Sequence, residues 1–373
     1  MNTTTASQQG NQCLPYILAL CLLMLSLLES AAQDSAEQRS AVPGGSDDKP
    51  HLRAGFEGTV LGGYIDHELF WTDSKKTFDQ HRFIPFIHGQ VSERIHVMAE
   101  IEFEHGGLVK GSGTSDGELK LEFATVDIEF AESIVYRAGV ILSPLGRFNL
   151  LHDSPLNDLT NRPLVVRHII PTTLAESGMG LHGTLYPSDG SLLGYEIYLV
   201  NGFNEAAANS LRSGRGSQKA DNNEEKSIVG RLNYSPWLGV DLGGSLHVGA
   251  YDDAGEHTLA IYALDANVHR GPLDFRGEIA TASVDGATED SRSGYYGQVA
   301  YHFLPGALPQ FPNSIFTLVG RYDHVDLGGS DETRYTVGIN FRPEEETVLK
   351  LDYEIYDQAD GNNGLIFSVA SYF

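Results

Sequence analysis

Cysteine is nearly missing from this chain, and the two it has, Cys13 and Cys21, fall together in the apolar stretch CLPYILALCLLMLSLL near the start. A mature chain without that stretch forms neither a disulfide nor a thiolate metal site. Positive charge is also sparse. Lysine and arginine number 25 against 50 acidic residues, for a formal charge of -25. Such a balance argues against nucleic acid or an anionic lipid surface as partner, since both repel a net anion. Beyond Leu28 no long apolar run occurs, so no later segment spans a bilayer as a helix. A sustained helical period is absent downstream of Gly55. So are the GxSxG elbow and the HExxH helix, and the run GSGTSDG lacks the strand and helix context of a phosphate loop. Asp66-His67, His152-Asp153 and Asp323-His324 are adjacent acid and histidine pairs, but neighbours on a strand point to opposite faces. No enzyme, cofactor or metal site is expected.

The apolar stretch from Cys13 to Leu28 is followed by ESAAQ, whose Ser30 and Ala32 supply small residues before a cut. Residues 1–32 therefore read as a secretory signal cleaved after Ala32, against a retained anchor. Its departure from type is the lack of Lys or Arg in Met1 to Gln12. Leu18-Ala19-Leu20-Cys21 faintly suggests a lipid-attachment box, but Leu20 is bulky where a small residue is needed. Residues 33–54 are polar and broken by Pro43, Gly44, Gly45 and Pro50, the composition of a flexible leader. This leaves residues 55–373 as one unit.

That unit alternates. In TVLKLDYEIYD, Leu349, Leu351, Tyr353 and Ile355 share one face while Lys350, Asp352 and Glu354 share the other. IHVMAEIEFE, LDFRGEIA and RYTVGINFR repeat the arrangement. In LKLEFATVDIEF the phase switches, which predicts a β-bulge near Ala124 and Thr125. The alternation predicts about sixteen strands, each long enough to cross a membrane at a tilt. They run from 59–71, 81–91, 94–105, 117–130 and 134–142 through to 347–357 and 363–373. The connections give a separate signal: VSE, AES, PSDGS, SPW, RGP and RPEEE are short, whereas those at the other strand ends include GGLVKGSGTSDG and the stretches 143–172 and 202–225. Short turns at one end and long loops at the other are the anatomy of a transmembrane barrel.

The chain ends NNGLIFSVASYF, with Phe373 last. A strand flush with the terminus must be paired along its length, and closure of strand 16 on strand 1 supplies the partner. Tyr372 and Phe373 are then expected at the membrane interface.

The strand number, the long loop after strand 5, and the run RYTVGINFRPEEETVLKLDYEIYDQADGNNGLIFSVASYF together resemble the phosphate-selective porin O and P family. The tail resembles an outer-membrane assembly signal carried by Phe373, Tyr372, Val369 and Phe367, although Ser371 stands where a bulkier residue is usual. The resemblance implies a closed antiparallel transmembrane β-barrel of about sixteen strands with a constriction loop after strand 5. It also implies a homotrimer in the outer membrane of a Gram-negative-type bacterium, with lipid and the barrel-assembly machinery as partners. Its function would be passive passage of small hydrophilic solutes or ions. Two alternatives stay open: a phosphate- or anion-selective channel, and a plugged structural or adhesion barrel with partner-binding loops.

The loop from Ser143 to Thr172 is unusually apolar for solvent, so it should be packed on something. Either it folds into the lumen or it caps the outside. Arg147, Arg162, Arg167, Asp153 and Asp158 are its charges. Arg137, Arg231, Arg276 and Arg321 fall on the polar parity of their strands, where guanidinium groups suit carboxylate or phosphate. More numerous carboxylates share that face and the loop has no lysine, so weak selectivity leaning to cations is expected.

Overall fold

The structure is a computed structural model whose described residues are 58–106, 117–357 and 362–373. The expected secretory segment, 1–32, and the whole polar leader, 33–54, lie outside them. Sixteen strands follow in chain order: β1 (Thr59–Thr72), β2 (Lys76–Ser92), β3 (Ile95–Glu104), β4 (Glu118–Ala131), β5 (Ile134–Leu142), β6 (Ala175–Leu185), β7 (Leu192–Val200), β8 (Ser227–Ser235), β9 (Val240–Ala250), β10 (Thr258–Arg270), β11 (Leu273–Val284), β12 (Ser291–Phe303), β13 (Ile315–Asp326), β14 (Asp331–Glu344), β15 (Thr347–Tyr356) and β16 (Gly364–Tyr372). Each pairs antiparallel with its sequence neighbours, and β16 returns to β1 to close the barrel. The seam sets Tyr64 opposite Tyr372 and Thr72 opposite Gly364. Phe373 extends it by exchanging backbone hydrogen bonds with Gly63 at 3.1 and 2.9 Å. Closure leaves no edge of unpaired amides.

The side chains are arranged inside out. On β15, Leu351 and Ile355 are exposed on the outer surface, whereas Lys350, Asp352 and Glu354 are only 1%, 1% and 2% exposed within. Exposed aromatics crowd both ends of the outer wall. Trp71 and Phe78 stand at the long-loop end, and Phe130, Tyr186 and Trp237 at the turn end. Aromatic rows continue the bands: Tyr295, Tyr322 and Tyr335 have successive ring separations of 5.9 and 5.2 Å, and Phe303, Phe316 and Phe341 of 5.9 and 4.7 Å. An apolar belt between aromatic girdles suits hydrocarbon flanked by headgroups.

Several expectations need correction. The second strand begins at Lys76 rather than 81, because a bulge places Gln80 and His81 against His67 and breaks the alternation there. The bulge expected near Ala124 and Thr125 sits slightly earlier, at Glu122, where Glu100 pairs with Phe123 but Ile101 with Leu121. Tyr372 points into the lumen, not to the membrane interface, because it shares its parity with Ser368 and Ala370, both fully buried inside. Finally, the inner face is not uniformly polar. Val229, Leu259, Ile261, Ala263, Ala280 and Ala282 face inward and belong to a buried apolar cluster.

Candidate functional site

That cluster is explained by the segment between β5 and β6. Residues 143–174 fold into the lumen, and proline divides them into short pieces. They form α1 (Arg147–Leu150), a 3₁₀ turn (Ser154–Leu156) with Pro155 in its first turn, and α2 (Leu164–His168) preceded by Pro163. A proline just before or at the first turn presets the backbone without losing an internal hydrogen bond. Leu145, Leu164, Val165, Val166, Ile169 and Ile170 are fully buried against the apolar patch of the wall. Packing of these side chains inside, not against a partner outside, accounts for the composition of the loop.

Polar anchors tie the same segment across the barrel. The first helix of the loop is capped by Gly146, whose φ of +69° favours glycine, and a Cβ there would lie 1.8 Å from Glu278 Oε1. Gly146 N donates to Ser245 Oγ at 2.8 Å and Phe148 N to Glu278 Oε2 at 3.2 Å. His152 contacts Glu122, Tyr372 Oη donates to Asp153 Oδ2 at 2.9 Å, and Ser154 Oγ donates to Asp66 at 2.5 Å. Further along, Thr160 N donates to Asp352 Oδ2 at 2.7 Å, Lys350 Nζ to Ser154 O at 2.7 Å, and Leu164 N to Asp323 Oδ1 at 3.1 Å. Wall residues on β1, β4, β9, β11, β13, β15 and β16 therefore all hold it. Lys350, Asp352 and Glu354 face inward as the alternation implies, yet the loop covers them and shuts out water.

The second long connection, between β7 and β8, braces the first. Arg212 and Arg215 donate to the carbonyls of Thr172 and Thr173 at 2.8 and 2.9 Å. Its Phe203, Ala207 and Leu211 join the apolar cluster. Nothing in the isolated sequence paired these two loops.

The candidate arginines separate into two groups. Arg137 holds Asp127 through two bonds of 2.8 and 2.7 Å, Arg231 holds Asp265 through two of 2.6 and 2.8 Å, and Arg321 donates to Asp323 at 2.9 Å and to Asn161 O at 2.8 Å. These are bidentate or buried pairs, with their charge already compensated. Arg147 and Arg276 are largely buried, with part of each side chain open to the lumen. Burial, then the repulsion of Arg276, pushes the Arg147 guanidinium below its usual range. Asp158 faces Arg276 at 3.9 Å and Arg342 at 3.4 Å. Burial alone would raise its carboxyl, but Arg276 and Arg342 outweigh this and hold it low. Arg162 donates to Thr172 O at 2.8 Å, and its Nε and Nη2 are buried without a partner. Burial, then Arg82, brings its guanidinium down to about 10. Arg167 is exposed at the long-loop end. Asp153 is fully buried beside the seam.

At the tail, Phe367 and Phe373 are exposed on the outer wall. Phe373 stacks on Phe83 with ring centroids 5.7 Å apart. Tyr372 packs edge-on against Tyr64 at 5.9 Å inside.

A closed sixteen-stranded antiparallel barrel, apolar outside, with a loop folded into its lumen, is the architecture of the porin class of barrels. Among solved structures, the chain is similar to an anion-selective porin from Comamonas acidovorans, with a TM-score of 0.57, 13% identity, and coverage of 84% of this chain and 99% of that one. It is similar to OmpF of Salmonella typhi, solved with daunomycin, at 0.57 and 11%, covering 84% and 97%. The trimer form of OmpT from Vibrio cholerae is similar at 0.55 and 10%, covering 84% and 99%. These likenesses are of fold. In sequence, the chain is 28% identical over 357 residues to an uncharacterized protein of Aquifex aeolicus (strain VF5), covering 84% of this chain and 79% of that one. No protein-family model matches the chain, so the phosphate-selective porin O and P resemblance rests on the residues quoted for it.

Proposed function

We propose that the protein is a narrow passive channel for small hydrophilic solutes or ions, seated in the outer membrane after export and assembled as a homotrimer. One observation carries the reading: the barrel joins an apolar, aromatic-banded exterior to a charged interior, and the loop crosses that interior carrying Arg147 and Asp158, with Arg276 of the wall beside it. A sixteen-stranded wall is wide enough to leave an aqueous path past an inserted loop. The pairing of Arg137, Arg231 and Arg321 with carboxylates supports weak selectivity leaning to cations, because a neutralised pair contributes little field. The similarity to an anion-selective porin and the two arginines partly open to the lumen, Arg147 and Arg276, favour the anion-selective alternative instead.

A second reading has its own support. The apolar cluster seals part of the lumen, and Asp323, Arg334 and Asp153 are fully buried, which suits a plugged barrel acting through its loops. Conductance in planar bilayers under a KCl gradient separates the three. Small unitary steps with a near-zero reversal potential are expected. Strong chloride preference with block by micromolar phosphate would restore the phosphate-selective reading, and a folded, inserted protein passing no current would leave the plug.

A further inference from the structure

The bulge in β2 does more than end an alternation. With Gln80 and His81 both set against His67, the phase of β2 slips by one residue, and His81 turns inward toward Glu68 and Glu104. On the facing strand, Asp66 and Glu68 already share the inner parity of β1. Ligand atoms from Asp66, Glu68 and His81 consequently lie within 4.8 Å of one another. The adjacent pair Asp66-His67 offers no such site, since His67 faces out and stacks on Phe78 at 5.9 Å. The expectation of no metal site rested on the sequence order, and the bulge changes who faces whom.

Three features distinguish this group from an ordinary buried ion pair. First, Asp66 and Glu68 are 2% and 1% exposed, yet Asp66 Oδ1 and Glu68 Oε2 have no hydrogen-bond partner. Buried carboxylate oxygens left bare are costly. Second, His81 Nδ1 sits 2.6 Å from Glu68 Oε1 but off the line that a hydrogen bond would take. Two donor atoms converging in this way are placed for a common cation. Third, the other ring nitrogen, Nε2, lies 3.3 Å from Glu104 Oε1. A carboxylate behind a ligating imidazole fixes its tautomer and raises its basicity, the usual outer support of a metal-bound histidine. Ser154 Oγ, on Asp66, steadies the second ligand from the loop.

We propose that Asp66, Glu68 and His81 form a binding site for a divalent first-row transition metal, Zn²⁺ foremost. Two carboxylate oxygens and one imidazole nitrogen suit zinc at about 2.0 to 2.2 Å, with water in a fourth position. Donors around such an ion stand about 3.3 Å apart, so His81 Nδ1 and Glu68 Oε1, 2.6 Å apart, separate slightly while the wider spacings of the group, all within 4.8 Å, draw in. The partly exposed His81 leaves an approach from the lumen. Since Ser154 belongs to the loop, the ion would also stiffen the attachment of the loop to β1.

The test uses the mature, untagged barrel in detergent, stripped with chelator and titrated calorimetrically with Zn²⁺. One Zn²⁺ per chain is expected. Asp66→Asn and Glu68→Gln should each weaken binding at least tenfold, and Glu104→Gln, which keeps all three ligands, about 10- to 100-fold. Absence of stoichiometric binding, or the same affinity in Asp66→Asn and Glu68→Gln as in the parent, overturns the proposal. If those variants fail to fold, Co²⁺ added to the parent protein decides. Intense visible absorption from a four- or five-coordinate site, abolished by Zn²⁺, supports it, and the weak spectrum of hydrated Co²⁺ overturns it.

Discussion

Leu351→Arg and Ile355→Arg place the same charge on the same strand and the same outer face, and they should differ only in depth. The two side chains are matched in exposure, at 42% and 40%. Leu351 sits mid-strand opposite Ile339, whereas Ile355 is next to the end of β15, opposite Tyr335. Four residues along a strand are about 13 Å, or about 10 Å along the membrane normal at a tilt near 40°. That distance carries a residue from the middle of an apolar band about 25 Å tall almost to its border. Arginine at the midplane costs about 2 to 4 kcal/mol and near the interface about 0 to 1 kcal/mol. The first corresponds to a loss of about 30- to 900-fold in the folding equilibrium. Reversible urea titration into phospholipid vesicles, followed by tryptophan emission and heat-modifiable migration, measures both. Equal costs at the two positions would mean that the outer face does not meet a hydrocarbon slab, and would refute the membrane reading of the barrel.

Deletion of Phe373 should reduce assembled barrel more than trimming residues 33–54, because it removes two backbone bonds to Gly63 and the stack on Phe83; membrane yields after the two deletions decide. Gly338→Val should unseat the middle of the loop while the barrel still forms. A Cβ at Gly338 would lie 2.3 Å from Asp352 Oδ1 and 2.6 Å from Leu159 Cδ2, so the Thr160 anchor is lost and limited proteolysis should newly cut near 158–162. Conductance should rise with it, and unchanged protease resistance together with unchanged conductance would count against the loop as the obstruction.

Alternation made most of the barrel legible, since a wall with oil outside and charge inside writes its parity into every strand. The tail shows why this works: Phe367, Val369 and Phe373 share one side, and a slip of one residue would turn all of them into the lumen. The misses have local causes. At Gln80 and His81 an extra residue hides the start of β2, and no spacing rule reveals a bulge among polar residues. The pairing of Arg137 with Asp127 follows from their facing positions on adjacent strands. Arg231 and Asp265 instead reach each other over β9, where a Cβ on Gly243 would lie 2.1 Å from Arg231 Nη2 and 2.4 Å from Asp265 Oδ2. That contact depends on the side chain missing from Gly243, on the strand between them, which the alternation does not reveal. The burial of Asp352 was equally illegible, because its cover, Thr160, comes from a loop 192 residues away in sequence.

The anchors at Asp153 and Ser154 have a further consequence. The joint between β1 and β16 differs from every other in the wall, since no stretch of chain leads directly from one strand to the other and non-covalent contacts alone hold them together. The lumen loop bridges that joint from within: Asp153 takes the hydroxyl of Tyr372 on β16, and Ser154 gives its own to Asp66 on β1. Two consecutive residues thus act as a rivet driven through the one place where the cylinder could unzip sideways into lipid. To part the first strand from the last, the loop must first be drawn out, so the obstruction of the passage and the lock on the wall are the same piece of chain.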